Sequence, residues 1–456
     1  MPYLRERYGM LTPPTLLSPF IKDRYTPADL SAVWQFLNEK GTLSFEMTQH
    51  QLFPAAAIAD AQKTGYSNVW VRDNVYVAYA HYKMGNVAIA AGTLSGLMAY
   101  FKKVAFRFTD IIQTPALKEQ VMRRPHIRFD GESLTEVDED WEHAQNDALG
   151  YFLWLYCQLA MQEENAGGLL PLTGADRAVL LRFMAYFEAI RYWEDPDSGH
   201  WEEGRKVAAS SIGAVVAGLR ALRSLITNGP VDFTVEAGSR SAEDTICQLI
   251  ASGEHALREI LPWESRDPEH ARRYDAALLF LIYPLQVVER SQAEAILSDV
   301  KAALMGGYGI QRYPYDSFWC KDFHDLDKSI QTAKYTGREA WLKEHNRAVR
   351  RGEEAQWCIF DPIVSAIYGE WFQASGEPSY LEQQTRHLNR ALSQITGEGN
   401  TVPGRDGSAV EIPPYRCPEL YYLQGDQYVP NVSTPLLWTQ ANMCLALKSM
   451  ARSLAS

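Results

Sequence analysis

Residues 200–222 read HWEEGRKVAASSIGAVVAGLRAL, a charged aromatic turn that runs straight into a helix apolar on nearly every face. A helix apolar all round belongs inside a fold, whereas one with a single apolar stripe lies on its outside. Five other stretches share the first character: VYVAYAHY (75–82), LGYFLWLY (149–156), DAALLFLIY (275–283), CIFDPIVSAIY (358–368) and PLLWTQANMCLAL (435–447). Between them lie one-faced segments such as AEDTICQLIASGEHALREI (242–260) and PSYLEQQTRHLNRALSQI (378–395). Helical periodicity gives about twelve segments, beginning near Ala28, Val71, Val87, Asp140, Ala175, Val207, Ser241, Arg273, Ser291, Ala355, Pro378 and Thr434, and almost no alternating strand signal. Inner and outer helices alternating six times predict an all-α fold, a single (α/α)6 barrel of six inner and six outer helices. No linker or low-complexity tract divides the chain, so the expected layout is an N-terminal extension, 1–26, packed on a barrel, 27–456.

The unusual polar residues cluster just before, or in the first turn of, the inner helices. They are NVWVRDN (68–74), DEDWEHAQND (138–147), SGHWEEG (198–204), RRYDAA (272–277), IQRYPYDSFW (310–319) and PYRCPELYY (414–422). Taken singly, each Trp-Glu or Arg-Asp is most simply a helix cap, a surface ion pair or a core tryptophan. The information lies in their shared phase, because the barrel brings all six stretches to one end. A pocket lined by Trp, Tyr, Arg, Asp and Glu suits a carbohydrate: flat rings cover the C–H faces of a pyranose, while charged groups bind its hydroxyls.

Bulk properties agree with a small-molecule partner. Of 456 residues 46% are apolar and 22% charged, a globular composition, and the formal net charge is −12. An acidic surface repels phosphate backbones and anionic lipid, so neither nucleic acid nor a membrane is the expected partner. The six cysteines are scattered, with no zinc or disulfide pattern; Cys157, Cys247 and Cys444 fall on apolar stripes and read as core. There is no HExxH and no phosphate-binding loop, so no metal and no cofactor is expected. The charged, proline-broken start MPYLRERYGMLTPPTLL is unlike a signal peptide, and no apolar run reads as a membrane span, which makes the cytoplasm the expected location. The sequon Asn431-Val432-Ser433 then has no glycosylation role. A homo-oligomer is compatible with this composition.

From about Phe53 to Leu447 the motifs, in order, resemble glycoside hydrolase family 15, the glucoamylase family, and the related barrel domain of phosphorylase kinase α and β subunits. NVWVRD resembles the family's aromatic segment ending in Arg-Asp, and WEHAQND its Trp-Gly-x-x-Gln-x-Asp motif. HWEEG is similar to its Trp-Glu-Glu segment, QRYPYDSFW to Arg-Tyr-Pro-Glu-Asp, and PELYY with PLLWTQA to the segment holding the base and a later tryptophan. The resemblance implies an inverting α-glucoside hydrolase with Glu202 as general acid and Glu419 as general base. It implies that Arg72, Asp73 and Arg312 hold glucose hydroxyls, that Trp70, Trp141, Trp201 and Trp438 form aromatic walls, and that Gln145 and Asp147 belong to the binding motif. Glu203 would position substrate or tune the acid, and inversion requires the two carboxyls to stand roughly 6.5–9.5 Å apart.

Two electrostatic expectations follow. Trp201 and Glu203 should raise the Glu202 pKa by desolvation and like charge, and Tyr415, Tyr421 and Tyr422 should keep Glu419 ionised. His143 and His200, inside the motifs, are candidates to reach substrate. The sequence departs from the family at Glu142, where glycine is usual, at Tyr315, where an acid is common, and at AQWCIFDP (355–362). No starch-binding module or kinase-type regulatory extension is expected. The alternative to catalysis is a non-catalytic sugar-binding module like the kinase barrel domains.

Overall fold

A computed structural model of the chain describes residues 14–56, 66–162, 170, 172–229, 233, 242–331, 337–403 and 408–456. The described residues contain fourteen α-helices. The six inner positions are held by α2 (Val71–Met84), α5 (Asn146–Ala160), α7 (Ala209–Asn228), α9 (Leu279–Ile282), α12 (Phe360–Ser375) and α14 (Leu437–Ala455). The outer layer is α1 (Pro27–Glu39), α3 (Val87–Lys103), α6 (Gly174–Ile190), α8 (Ala242–Ile260), α10 (Arg290–Ala303) and α13 (Pro378–Ser393), with two short additions, α4 (Ala105–Gln113) and α11 (Arg338–Glu344). Each inner helix contacts the next, and α14 returns to pack on α2, so the ring closes. This is the expected (α/α)6 barrel.

Local chemistry places the helix ends. Thr26 and Asp29 form a reciprocal capping box with Pro27 in the first turn of α1, and Thr173 with Asp176 repeats the box at α6. Gly85 ends α2 and Gly376 ends α12, at φ 90° and 70°, a left-handed conformation that glycine takes without a Cβ penalty. Ahead of α1, the Tyr25 hydroxyl donates to Asn389 Oδ1 at 2.7 Å and Asn389 Nδ2 donates to the Lys22 carbonyl at 2.8 Å. Residues 1–13 of the expected N-terminal extension lie outside the described residues.

The tightest crossing is between α5 and α7. A Cβ on Gly150 would stand 2.5 Å from the Ala214 carbonyl carbon, and one on Gly218 would stand 2.8 Å from the Gly150 carbonyl oxygen. Backbone cannot give way as a side-chain tip can. Gly150→Ala should therefore destabilise by ~1–3 kcal/mol of overpacking, more than the ~1 kcal/mol gained in helix propensity. Urea unfolding checks this; an unchanged midpoint would contradict it.

Four expectations need correction. The segment from Arg273 is no full helix: a 3-10 turn, Ala276–Leu278, leads into the single turn α9. Pro284 pushes Tyr283 into an extended conformation and stops it there. The segment from Asp140 becomes helical only at Asn146, because the His143 amide bonds Trp141 O and the Gln145 amide bonds His143 O, two-residue turns that a helix cannot contain. Cys247 is exposed, one position off the stripe of Ile246, Leu249 and Ile250 that α8 buries, while Cys157 and Cys444 are buried. Finally, α7 is long and apolar enough to cross a membrane by length and composition alone; its unbroken burial from Ala209 to Leu219 in the inner ring accounts for that composition.

The eight short strands among the described residues were not legible as alternation, since they run from two to five residues. β1 (Val69–Trp70), β2 (Arg128–Asp130) and β3 (Thr135–Glu136) make one antiparallel sheet. β4 (Gln356–Trp357), β7 (Leu420–Gln424) and β8 (Gln427–Pro430) make a second, and β5 (Thr401–Pro403) with β6 (Ala409–Glu411) a third. The first two sheets build the walls of the site.

Candidate active site

A cavity of about 720 Å³ opens at the end of the barrel where the polar clusters converge. That is a size suited to a small organic ligand. β1 delivers Trp70 and, in the first turn of α2, Arg72 and Asp73; its partner β2 delivers Arg128 and Asp130. In the second sheet Trp357 pairs with Leu420, the Cys358 amide bonds the Glu419 carbonyl at 3.0 Å, and Ile310 bridges to Trp357. That register brings Arg312, Trp357 and Glu419 to one wall.

Glu202 follows the 3-10 turn Gly199–Trp201 with φ 55°, a left-handed conformation costly for a side chain other than glycine. Glu202 lines the cavity, whereas Glu203 is bound elsewhere, by Arg272 Nη1 at 3.1 Å and the Tyr313 hydroxyl at 2.6 Å. The Trp70 indole N–H donates to Glu202 Oε1 at 2.8 Å, and Arg72 Nη2 lies 3.5 Å from the same oxygen. Burial raises the Glu202 carboxyl above its ordinary range, and Arg72 moderates the shift. Glu203 itself is neutralised by other partners: burial alone would push its carboxyl up, but Arg272, Lys206 and Arg312 hold it well below the usual range. Burial, the first half of the expectation, is the largest cause of the Glu202 rise.

Glu419 faces the same cavity from the start of β7. Its Oε1 accepts from the Tyr66 hydroxyl at 3.1 Å and its Oε2 from the Asn431 amide. Burial pushes its pKa up to about 6, against the lowering hydrogen bonds of Asn431, Tyr66 and Ser433. The expected tyrosines do not serve it: the Tyr421 hydroxyl donates to Gln394 O, that of Tyr415 to Glu398, and Tyr422 packs against Trp319. Neighbouring strand residues point to opposite faces, so adjacency in sequence misdirected the reading. Tyr66 and Trp70, with ring centroids 5.7 Å apart, link the two carboxyls across one corner of the cavity.

The remaining charges are fixed from behind. Arg72 Nη1 donates to Asp147 Oδ2 at 2.8 Å and to Gln145 Oε1 at 3.0 Å, and Arg312 makes a two-pronged pair with Asp316 at 2.7 and 2.8 Å. The Trp201 indole N–H is held by both oxygens of Asp275, at 3.0 and 3.2 Å. Asp73 lines the cavity with its pKa raised by burial to about 7, opposed by Arg72. His200 sits between Tyr151 and Ser210, and burial lowers it to about 4, so it is neutral near pH 7.

The structure thus gathers Trp70, Arg72, Asp73, Trp141, His200, Trp201, Glu202, Arg312, Glu419 and Trp438 around one cavity. Gln145, Asp147 and Glu203 do not line it; the first two hold Arg72, and the third is committed to Arg272 and Tyr313. His143 does not line it either, being buried and stacked on His126 at 3.7 Å. Tyr315 is 56% exposed on a separate surface cavity, and the buried Glu354 takes its backbone N–H at 2.8 Å. Sequence reasoning missed Tyr66, Arg128, Trp357 and Ser433 on the cavity wall, and Asn431 behind it. The Asn-Val-Ser triplet, twelve residues after Glu419, was the one visible signal for the last two.

Comparison with known proteins follows the same outline. The chain is 28% identical over 417 residues to a probable phosphorylase b kinase regulatory subunit alpha of Caenorhabditis elegans, covering 85% of this chain and 31% of that protein. It is 22% identical over 400 residues to the skeletal muscle isoform of that subunit from Oryctolagus cuniculus, covering 82% of this chain and 30% of that protein. The chain therefore spans about a third of the length of these relatives. Among solved structures, a glycosidase variant in complex with glucose superposes with a TM-score of 0.62 at 18% identity, covering 95% of this chain and 99% of that one. The glucoamylase of Saccharomycopsis fibuligera superposes with a TM-score of 0.56 at 11% identity, with the same two coverages. These likenesses show the barrel, and residues 43–440, which carry every wall of the cavity, match the sequence model of one family. The chain belongs to glycosyl hydrolases family 15.

Proposed function

We propose that this chain is an inverting α-glucoside hydrolase that releases glucose from the non-reducing end of a small α-glucoside or oligosaccharide. Support comes above all from two carboxyl groups, Glu202 and Glu419, that meet in one sugar-sized cavity although far apart in the chain. In this reading Glu202 gives its proton to the glycosidic oxygen as the bond to the anomeric carbon breaks. A water on the opposite face attacks that carbon and yields its proton to Glu419. The cycle ends with Glu202 ionised and Glu419 protonated, and exchange with solvent resets both. Arg72, Asp73 and Arg312 bind the hydroxyls of the glucose, and Trp70, Trp141, Trp201 and Trp438 enclose its faces.

The experiment is NMR of the first product formed from maltose, isomaltose, kojibiose and trehalose. Release of β-glucose from an α-linkage supports the proposal; α-glucose would refute inversion. The likeness to kinase regulatory subunits favours a second reading, a sugar-binding regulatory barrel. Saturable sugar binding with no turnover of any α-glucoside would decide for it.

The pH profile tests the base. A carboxylate with its pKa raised to about 6 is ionised above that value and lost as a base below it. The acid limb of kcat/KM should therefore lie near 6. Asn431→Ala removes a hydrogen bond that lowers the Glu419 pKa, so it should move that limb upward. A limb that stays in place would count against Glu419.

A further inference from the structure

We propose that the ion pair of Arg128 with Glu139 binds the leaving group, clasping two neighbouring hydroxyls of a sugar or polyol. This rests on the hydrolase reading, which puts the leaving oxygen on the Glu202 side of the cavity. Arg128, on β2, is 3% exposed and lies over the Trp141 ring at 4.2 Å and the Trp70 ring at 5.1 Å. Trp70 is the residue that donates to Glu202 at 2.8 Å, so Arg128 stands beside the acid, while Glu419 is approached through Tyr66.

The guanidinium is only partly used. Its Nη2 reaches Glu139 Oε2 at 2.9 Å, but Nε and Nη1, though buried, have no hydrogen-bond partner among the described residues. Buried donors without an acceptor are costly, and oxygens of a ligand remove that cost. Glu139 offers the complementary acceptor from a side chain 44% exposed, so a hydroxyl pair can meet one donor group and one acceptor group together. The chemistry selects between ligand classes. An apolar leaving group would leave the buried N–H groups unpaired. An anion would enter a cavity that carries more carboxyl groups (Asp73, Asp130, Glu139, Glu202, Glu419) than guanidinium groups. A neutral polyhydroxylated group meets neither objection.

The test compares an α-linked disaccharide with α-glucosyl fluoride, whose leaving fluoride is too small to reach Arg128. Losing charge-assisted hydrogen bonds, Arg128→Met should cut kcat/KM for the disaccharide roughly 10- to 100-fold more than for the fluoride. Glu139→Gln should shift the same ratio in the same direction. Equal losses on both substrates would reduce Arg128 to a prop for Trp70 and Trp141, and no loss on either would end the proposal. Calorimetry in the Glu202→Gln background gives an arm independent of turnover. There Arg128→Met should weaken disaccharide binding more than glucose binding, with Arg128→Lys intermediate, and parallel weakening overturns the assignment. Wild-type protein that fails to hydrolyse the fluoride would refute the hydrolase reading, while this binding comparison still judges the Arg128 site.

Discussion

Glu202→Gln is expected to lower kcat on an α-linked disaccharide by ~10²–10⁴, the usual worth of a positioned proton donor. The same variant should lose far less on α-glucosyl fluoride, because fluoride departs with little help from a proton. Glu419→Gln should instead depress both substrates together, since water must be activated whatever leaves. The contrast follows from the surroundings of the two groups. Glu202 is gripped by Trp70 and neighboured by Arg72, while Glu419 accepts from Tyr66 and Asn431 at the other end of the same corner. Steady-state kinetics of the two variants on the two substrates checks this. Equal losses for Glu202→Gln, or near-normal turnover by Glu419→Gln, would dismantle the assignment.

The second large effect is on stability. Asp147 is fully buried and receives Arg72 Nη1 at 2.8 Å, with His200 Nδ1 at 3.5 Å. Burial alone would raise its pKa, but His200 and Arg72 overcome this and keep it below the ordinary range. Asp147→Ala takes from a buried guanidinium its 2.8 Å partner and leaves it Gln145 and the longer contact with Glu202, and breaking such a pair costs about 3–5 kcal/mol. Removing both charges at once, in Arg72→Met with Asp147→Leu, should cost less than the single change, because no unpaired charge remains. Urea titrations of the single and double variants measure the difference. A single variant within about 1 kcal/mol of wild type would mean that the pair behaves like one at the surface. Catalysis would suffer as well, since an Arg72 freed from Asp147 turns to Glu202 and stabilises its ionised form, the wrong state for a proton donor.

The inner and outer helices were legible because burial all round and burial on one side leave different residue patterns, as VYVAYAHY and AEDTICQLIASGEHALREI show. Motif order located ten of the cavity residues, most of them for the related reason that they precede or begin an inner helix, with Arg312 farther ahead of α12. What escaped was set by geometry without periodicity. Strands of two or three residues cannot display alternation, so Arg128 gave no signal and Trp357 stood out only within AQWCIFDP, as a departure from the family. Tyr66 reaches Glu419 across 353 positions of sequence. The left-handed turn at Glu202 parts two adjacent glutamates that a linear reading pairs.

The docking of α14 on α2 has a consequence for how this protein is made. During synthesis the first inner helix leaves the ribosome long before its neighbour of the opposite flank exists, and Glu419 with Asn431 emerges later than Glu202. Contacts between such distant parts form slowly, since loop closure precedes their reward. A nascent chain stalled before residue 437 would carry both carboxyls on an open horseshoe, so on the hydrolase reading competence should appear abruptly, only once α14 has left the ribosome.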